Sequence, residues 1–153
     1  MITLDRVVIT LQAVQDILGL NDWKITPHTA TDAQLKKLLK GKVENHIEEI
    51  FGCVLIHADF RTAEMYIWDN LDTSKHSQGL EHTVFHECLH IVLHPYDELY
   101  MFLFEDESLL VRNVLQWGYT NMEERVINQL SDGFINCLNI IQAKNEPKDQ
   151  SPK

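Results

Sequence analysis

Positive charge, cysteine and long apolar runs are all scarce in this chain of 153 residues, and each scarcity closes off a class of function. Thirteen Lys and Arg face 23 Asp and Glu, a net charge of −10. That excess repels phosphate, which argues against direct binding of nucleic acid or of an anionic membrane surface. It leaves room for a basic protein partner, for an acidic mimic of nucleic acid, or simply for a well-solvated surface. The three cysteines, Cys53, Cys88 and Cys137, are odd in number, lie in apolar contexts and have no metal-ligand spacing. They read as buried thiols in a reducing cytoplasm. No apolar run approaches a membrane span, and the start of the chain, Met1-Ile-Thr-Leu-Asp-Arg6, lacks the basic and apolar regions of a secretory signal. The expectation is a cytoplasmic protein that does not enter a membrane.

What is present is 44% hydrophobic residues in alternating helical and strand-like patterns, enough for one domain with a core of its own. Leu4, Val7, Val8, Leu11, Val14, Ile17 and Leu18 form the stripe of an amphipathic helix that Gly19 ends. Trp23 and Ile25 alternate with Lys24 and Thr26 in a short strand, and Pro27 marks it as an edge or a strand end. Thr31 or Asp32 caps a short helix through Leu35, Leu38 and Leu39, closed by Gly41. Gly52 opens a strand to Ala58, and a turn near Asp59 to Thr62 leads into a second strand, Ala63 to Asp69. Met65 and Ile67 alternate there with Glu64, Tyr66 and Trp68, so the pair reads as an antiparallel hairpin with one face on a core.

After a polar loop, a helix is expected from near Ser77 to about His94, stopped or kinked by Pro95. A partly helical segment follows, broken at Gly118. Thr120 or Asn121 then starts a last long helix with the stripe Val126, Ile127, Leu130, Phe134, Cys137, Leu138 and Ile141. Residues 143–153 read as a disordered tail to a single domain spanning 1–142.

Within the first long helix lies His86-Glu87-Cys88-Leu89-His90, an HExxH string. Two imidazoles one turn apart, with a carboxylate beside the first, suit a zinc ion and a general base. The plain alternative is an ordinary helix with two packed histidines. Against it stand the apolar neighbours Val84, Phe85, Cys88, Leu89, Ile91 and Val92, which would anchor the motif in a core.

A catalytic zinc needs a third protein ligand and an open position. No histidine follows His94, and Leu93 and Tyr96 stand where an extended HExxHxxGxxH pattern wants glycine and histidine. His94 is two turns from His86, too far along the axis to share its ion, and reads as a polar residue beside Pro95. His82 reads as a surface histidine before it reads as a support for His86. Carboxylates remain. Thr120 with Glu123, or Asn121 with Glu124, fits a capping box that needs no metal. Glu123 lies nearer the centre of the apolar stripe, yet if it caps, Glu124 is free to reach the ion. Spacing alone favours Glu124 only slightly. Asn128, one turn on, suits a hydrogen bond that orients a ligand histidine.

His86-Glu-Cys-Leu-His90 followed by Glu124-Arg-Val-Ile-Asn128-Gln-Leu130-Ser131 resembles the small HExxH…E peptidases of the ImmA/IrrE type and their phage and prophage relatives. Ile127 stands where that group usually has alanine. The resemblance implies an α+β, minimal zincin-like fold: a small antiparallel sheet, an HExxH active-site helix and a C-terminal ligand-bearing helix. It turns the slight preference for Glu124 into a clear one. It also implies Zn2+ on His86, His90 and Glu124, with Glu87 as general base in hydrolysing a peptide bond. Tyr96, Tyr100, Tyr119, Arg125 and His82 are the candidate donors to the oxyanion, and the sequence does not choose among them. The partner is a protein or peptide substrate, a regulator among the candidates, laid along the hairpin edge near Ala63 to Asp69. The rival readings are a non-catalytic binding or regulatory protein on the same scaffold, and the acidic nucleic-acid mimic.

Overall fold

Thr3 sets the first helix going: in extended backbone, its hydroxyl accepts from the Arg6 N–H and caps α1, Leu4–Leu18. Gly19 ends the helix in the left-handed region at φ 68°, and its N–H donates to the Gln15 carbonyl. Val7, Leu11 and Val14 face the core. The buried Gln15 amide donates to the carbonyls of Leu20 and Trp23, 3.1 Å each, tying the following turn to the helix. This computed structural model describes residues 1–39, 51–73, 78–104 and 108–145. Gly41 and Ser77 lie outside them.

β1, Lys24–Ala30, continues past Pro27, which is tolerated because β1 is an edge strand. Thr31 then caps α2, Asp32–Leu38, through a reciprocal capping box with Gln34. β2, Gly52–His57, and β3, Thr62–Trp68, pair antiparallel. They are joined through a 3-10 turn at Ala58–Phe60 and a left-handed Arg61. Ala63, Met65 and Ile67 are buried on one sheet face, as the period of two requires.

Two expectations for the sheet are corrected. The three-stranded sheet is mixed, not antiparallel, because β1 runs parallel to β3, a pairing that the α2–β2 crossover makes accessible. The strand order β1-β3-β2 puts β3 in the centre, so Ala63 to Asp69 offers no free edge. Among the described residues the open edges belong to β1 and β2.

α3 spans Leu80–Leu103, beginning after Gly79 at φ 97° and running through Pro95 for eight further residues. Pro95 cannot donate to the Ile91 carbonyl, which weakens one turn. The last helix, Leu109–Asn145, compensates: Tyr119 donates to Asp97 Oδ1 at 2.7 Å, and its ring stacks on Tyr100 with centroids 4.3 Å apart. Val84, Phe85, Cys88, Leu89 and Ile91 are buried as expected, whereas Val92 is 37% exposed.

α4 is one helix, Leu109–Asn145, continuous through Gly118. Thr120 and Asn121 therefore start nothing. Asn121 sits in mid-helix with its amide donating to the Trp117 carbonyl. The helix also carries residues 143–145, beyond the boundary expected for the domain. The rest of the tail lies outside the described residues. Its inward line is Ile127, Ser131, Phe134 and Leu138, while Val126, Leu130 and Cys137 face outward. Cys137 is thus an exposed thiol, unlike Cys53 and Cys88.

The architecture is α+β. α1 and α3 lie against the sheet face carrying Met65 and Ile67, α2 covers part of the other face around Cys53 and Ala30, and α4 packs on α3. No helix among the described residues is long and apolar enough to cross a membrane.

Candidate metal centre

His82, His86 and His90 recur every fourth residue, so α3 presents them along one line. That line faces α4, which runs antiparallel to α3, as successive contacts show: His82 meets Asp132, His90 meets Glu123 and Glu124, and Asp97 meets Tyr119. The face-to-face stack of Phe85 on Phe134, centroids 3.9 Å apart, and the buried Ile127 hold the two helices in this register.

Glu124 joins the two motif histidines. Its Oε2 lies 3.5 Å from His86 Nε2 and its Oε1 lies 3.4 Å from His90 Nε2. One ligand atom from each of the three residues falls within 4.8 Å of the others. Tetrahedral zinc with bonds of about 2.0–2.2 Å separates neighbouring donors by about 3.3–3.6 Å, and each imidazole meets one carboxylate oxygen at such a distance, Oε2 for His86 and Oε1 for His90. The donor set, two neutral imidazoles and a carboxylate, also suits zinc chemically. All three side chains remain partly open to solvent, as a site that admits water must be.

Glu123 has a different place. Its Oε1 lies 3.1 Å from His90 Nδ1, and with the proton on Nδ1 that nitrogen donates to the carboxylate and leaves Nε2 as the free donor atom. The periodicity that put Glu123 nearer the centre of the stripe was sound: its side chain is 12% exposed against 44% for Glu124. The deeper glutamate contacts His90 instead of capping a helix. Asn128, expected in that supporting role, is exposed. The cap reading failed because α4 has no N-terminus near residue 120.

Burial would lower the His90 pKa, but the Glu123 hydrogen bond and the surrounding carboxylates Glu87, Glu124 and Glu123 outweigh it and push it up to about 9. Glu124 shows the converse. Burial would raise it, yet the hydrogen bond from His86 and the charges of both histidines hold it below the usual carboxylate value. Glu87 is buried, and desolvation raises its pKa against the opposing pull of His90 and His86. Cys88, next along, is pushed up to about 12 by burial, so it is a packing residue and not a nucleophile.

Nothing in the spacing of residues along the chain announces what packs against Glu87. A Cβ on Gly52 would sit 3.0 Å from Glu87 Oε1 and 3.1 Å from Thr83 Cγ2, so the first residue of β2 has to be this small for the carboxylate to rest against it. Only the folded chain brings residue 52 to residue 87. His82 is also corrected: it is buried, with Nε2 3.3 Å from Asp132 Oδ1 but outside hydrogen-bond alignment. Burial lowers its pKa, and Asp132 opposes that shift.

Of the residues considered as oxyanion donors, His82 lies beside the site, its ring centroid 6.3 Å from that of His86. Tyr119 is committed to Asp97, Arg125 and Tyr96 are exposed, and Tyr100 lies ten residues, about 15 Å of helix, beyond His90. His94 keeps its plain reading, 3.8 Å from Asp97 and 3.9 Å from Glu98. No family model, curated protein or solved structure matches this chain.

Proposed function

We propose that this protein is a small zinc metallopeptidase of zincin-like architecture, akin to the ImmA/IrrE-type HExxH…E enzymes, that hydrolyses a peptide bond in a protein substrate. The observation that carries this reading is the convergence of His86, His90 and Glu124, one ligand atom of each within 4.8 Å of the others, with a buried carboxylate beside the first histidine.

His86, His90 and Glu124 would hold the metal, and Glu123 would keep His90 in the tautomer that presents Nε2. Zinc supplies Lewis acidity at such a site: it polarises a carbonyl and makes water a stronger acid. Glu87 takes the proton from the water as its oxygen adds to the substrate carbonyl, then passes that proton to the leaving amine as the C–N bond breaks. Burial prepares it for this, since a carboxylate with a raised pKa is a better base while the nearby imidazoles keep its ionised form accessible. The substrate's extended backbone fits the open edge of β2, not the interior strand β3.

Zinc content and cleavage of a general protein substrate, compared for the wild type and Glu87→Gln, test the proposal. The expected result is one zinc per chain in both proteins and a loss of at least about a hundredfold in kcat for the variant, the scale of a lost general base. Undiminished cleavage by zinc-loaded Glu87→Gln would sink the hydrolase assignment. Zinc bound with no cleavage by either protein would favour a metal-stabilised binding protein.

A further inference from the structure

β2 runs alongside α3 in a fixed register. Its first residue, Gly52, rests against Glu87, and its last residues, Ile56 and His57, reach His94. At that far end an open cavity of about 300 Å³ lies between the strand end, the 3-10 turn and α3. Ile56 forms an apolar wall, Phe60 offers a ring that is 80% exposed, Asp59 and Glu98 bring two carboxylates, and His57 and His94 complete the polar lining. Among the described residues neither carboxylate has a Lys or Arg partner. Arg61, the cation next to this turn, is held away by its ion pair with Asp22.

The cavity is close to the proposed chemistry. His94 follows His90 by one helical turn, about 6 Å along the axis. A peptide laid on the β2 edge advances about 3.3 Å per residue, so a side chain in the cavity belongs to a residue within two or three of the bond at the metal site. An apolar wall and an exposed ring suit the methylene stem of a long side chain, and two carboxylates without a Lys or Arg partner among the described residues suit a cation at its tip.

We propose that this cavity is a specificity subsite for a Lys or Arg side chain flanking the cleaved bond, so that the substrate class is a protein segment with a basic residue close to the scissile peptide. This inference rests on the peptidase reading above, and it gives the chain's acidic character a local role at the substrate path.

A position-scanned set of blocked peptides, differing only in Lys, norleucine or Glu at each site, tests it with the zinc-loaded 153-residue chain. Norleucine keeps the stem and removes the charge. At one fixed position relative to the cut, kcat/KM for Lys is expected to exceed that for norleucine by about fivefold, as partly exposed charge pairs allow, with Glu lower still. The double variant Asp59→Asn/Glu98→Gln, its fold checked by circular dichroism, should bring the Lys to norleucine ratio to about one. Cleavage with equal rates for Lys and norleucine, or a ratio that survives in the double variant, overturns the subsite and leaves the peptidase reading standing. No cleavage of any peptide by the zinc-loaded protein overturns both.

Discussion

Glu123 and Glu124 are neighbours in sequence, yet a helix turns by 100° between them, so they address different atoms of the same imidazole. Glu124 meets Nε2 of His90 at 3.4 Å, and Glu123 meets Nδ1 at 3.1 Å. The two should therefore fail differently when neutralised. Glu124→Gln is expected to lose most bound zinc, because a charged ligand is replaced by a weakly donating amide. Glu123→Gln should retain zinc with affinity lowered by about 10- to 100-fold, the cost of removing a group that orients a ligand. Competition against a zinc-responsive dye measures both, and the reverse order would show that the roles are exchanged. The HExxH spacing made His86, Glu87 and His90 legible from the sequence. The choice between the two glutamates was not legible from spacing, because their roles depend on which face of α4 meets α3.

At the scale of elements, α1, α2, β2 and β3 were readable because each carries its own local signals: a capping threonine, a terminating glycine, an alternation of two. The long helices were misread at Pro95 and Gly118, where a local signal for a break is overridden by packing. Tyr119, one residue after Gly118, reaches Asp97, two residues after Pro95, so a single contact supports both weak points. Gly118 is exposed, and a Cβ there meets nothing within 4 Å. Gly118→Ala should accordingly stabilise the protein by about 0.5–1 kcal/mol, the helix-propensity difference, measured by denaturant unfolding. Destabilisation instead would mean that the chain is not helical at this position.

For the whole molecule, the proposed metal site would join α4 to the rest of the fold, since α4 packs chiefly on α3. Buffered zinc at about a thousand times its Kd should therefore add about 4 kcal/mol to stability. The pH dependence has a definite sign. In the metal-free protein the His90 pKa is raised from 6.5 to about 9. The contribution of its carboxylate contacts to stability is complete below pH 6.5 and is lost as pH rises through about 9. Zinc requires the neutral ring, so its affinity rises across the same window. Melting temperatures measured across it should fall for the metal-free protein, and the gap to the zinc-loaded protein should widen. A flat metal-free profile, or a narrowing gap, would contradict the assignment of the His90 contacts.

The sequence by itself determined the α+β class, the strands and short helices, and the line of histidines on α3, because helical and strand periods are local properties of a chain. Only the tertiary structure decided that β3 is central, that α4 is continuous, that Glu123 supports His90 and that Gly52 makes room for Glu87. Each of these depends on contacts between residues far apart in the chain. Their spacing along it carries no record of which surfaces will meet.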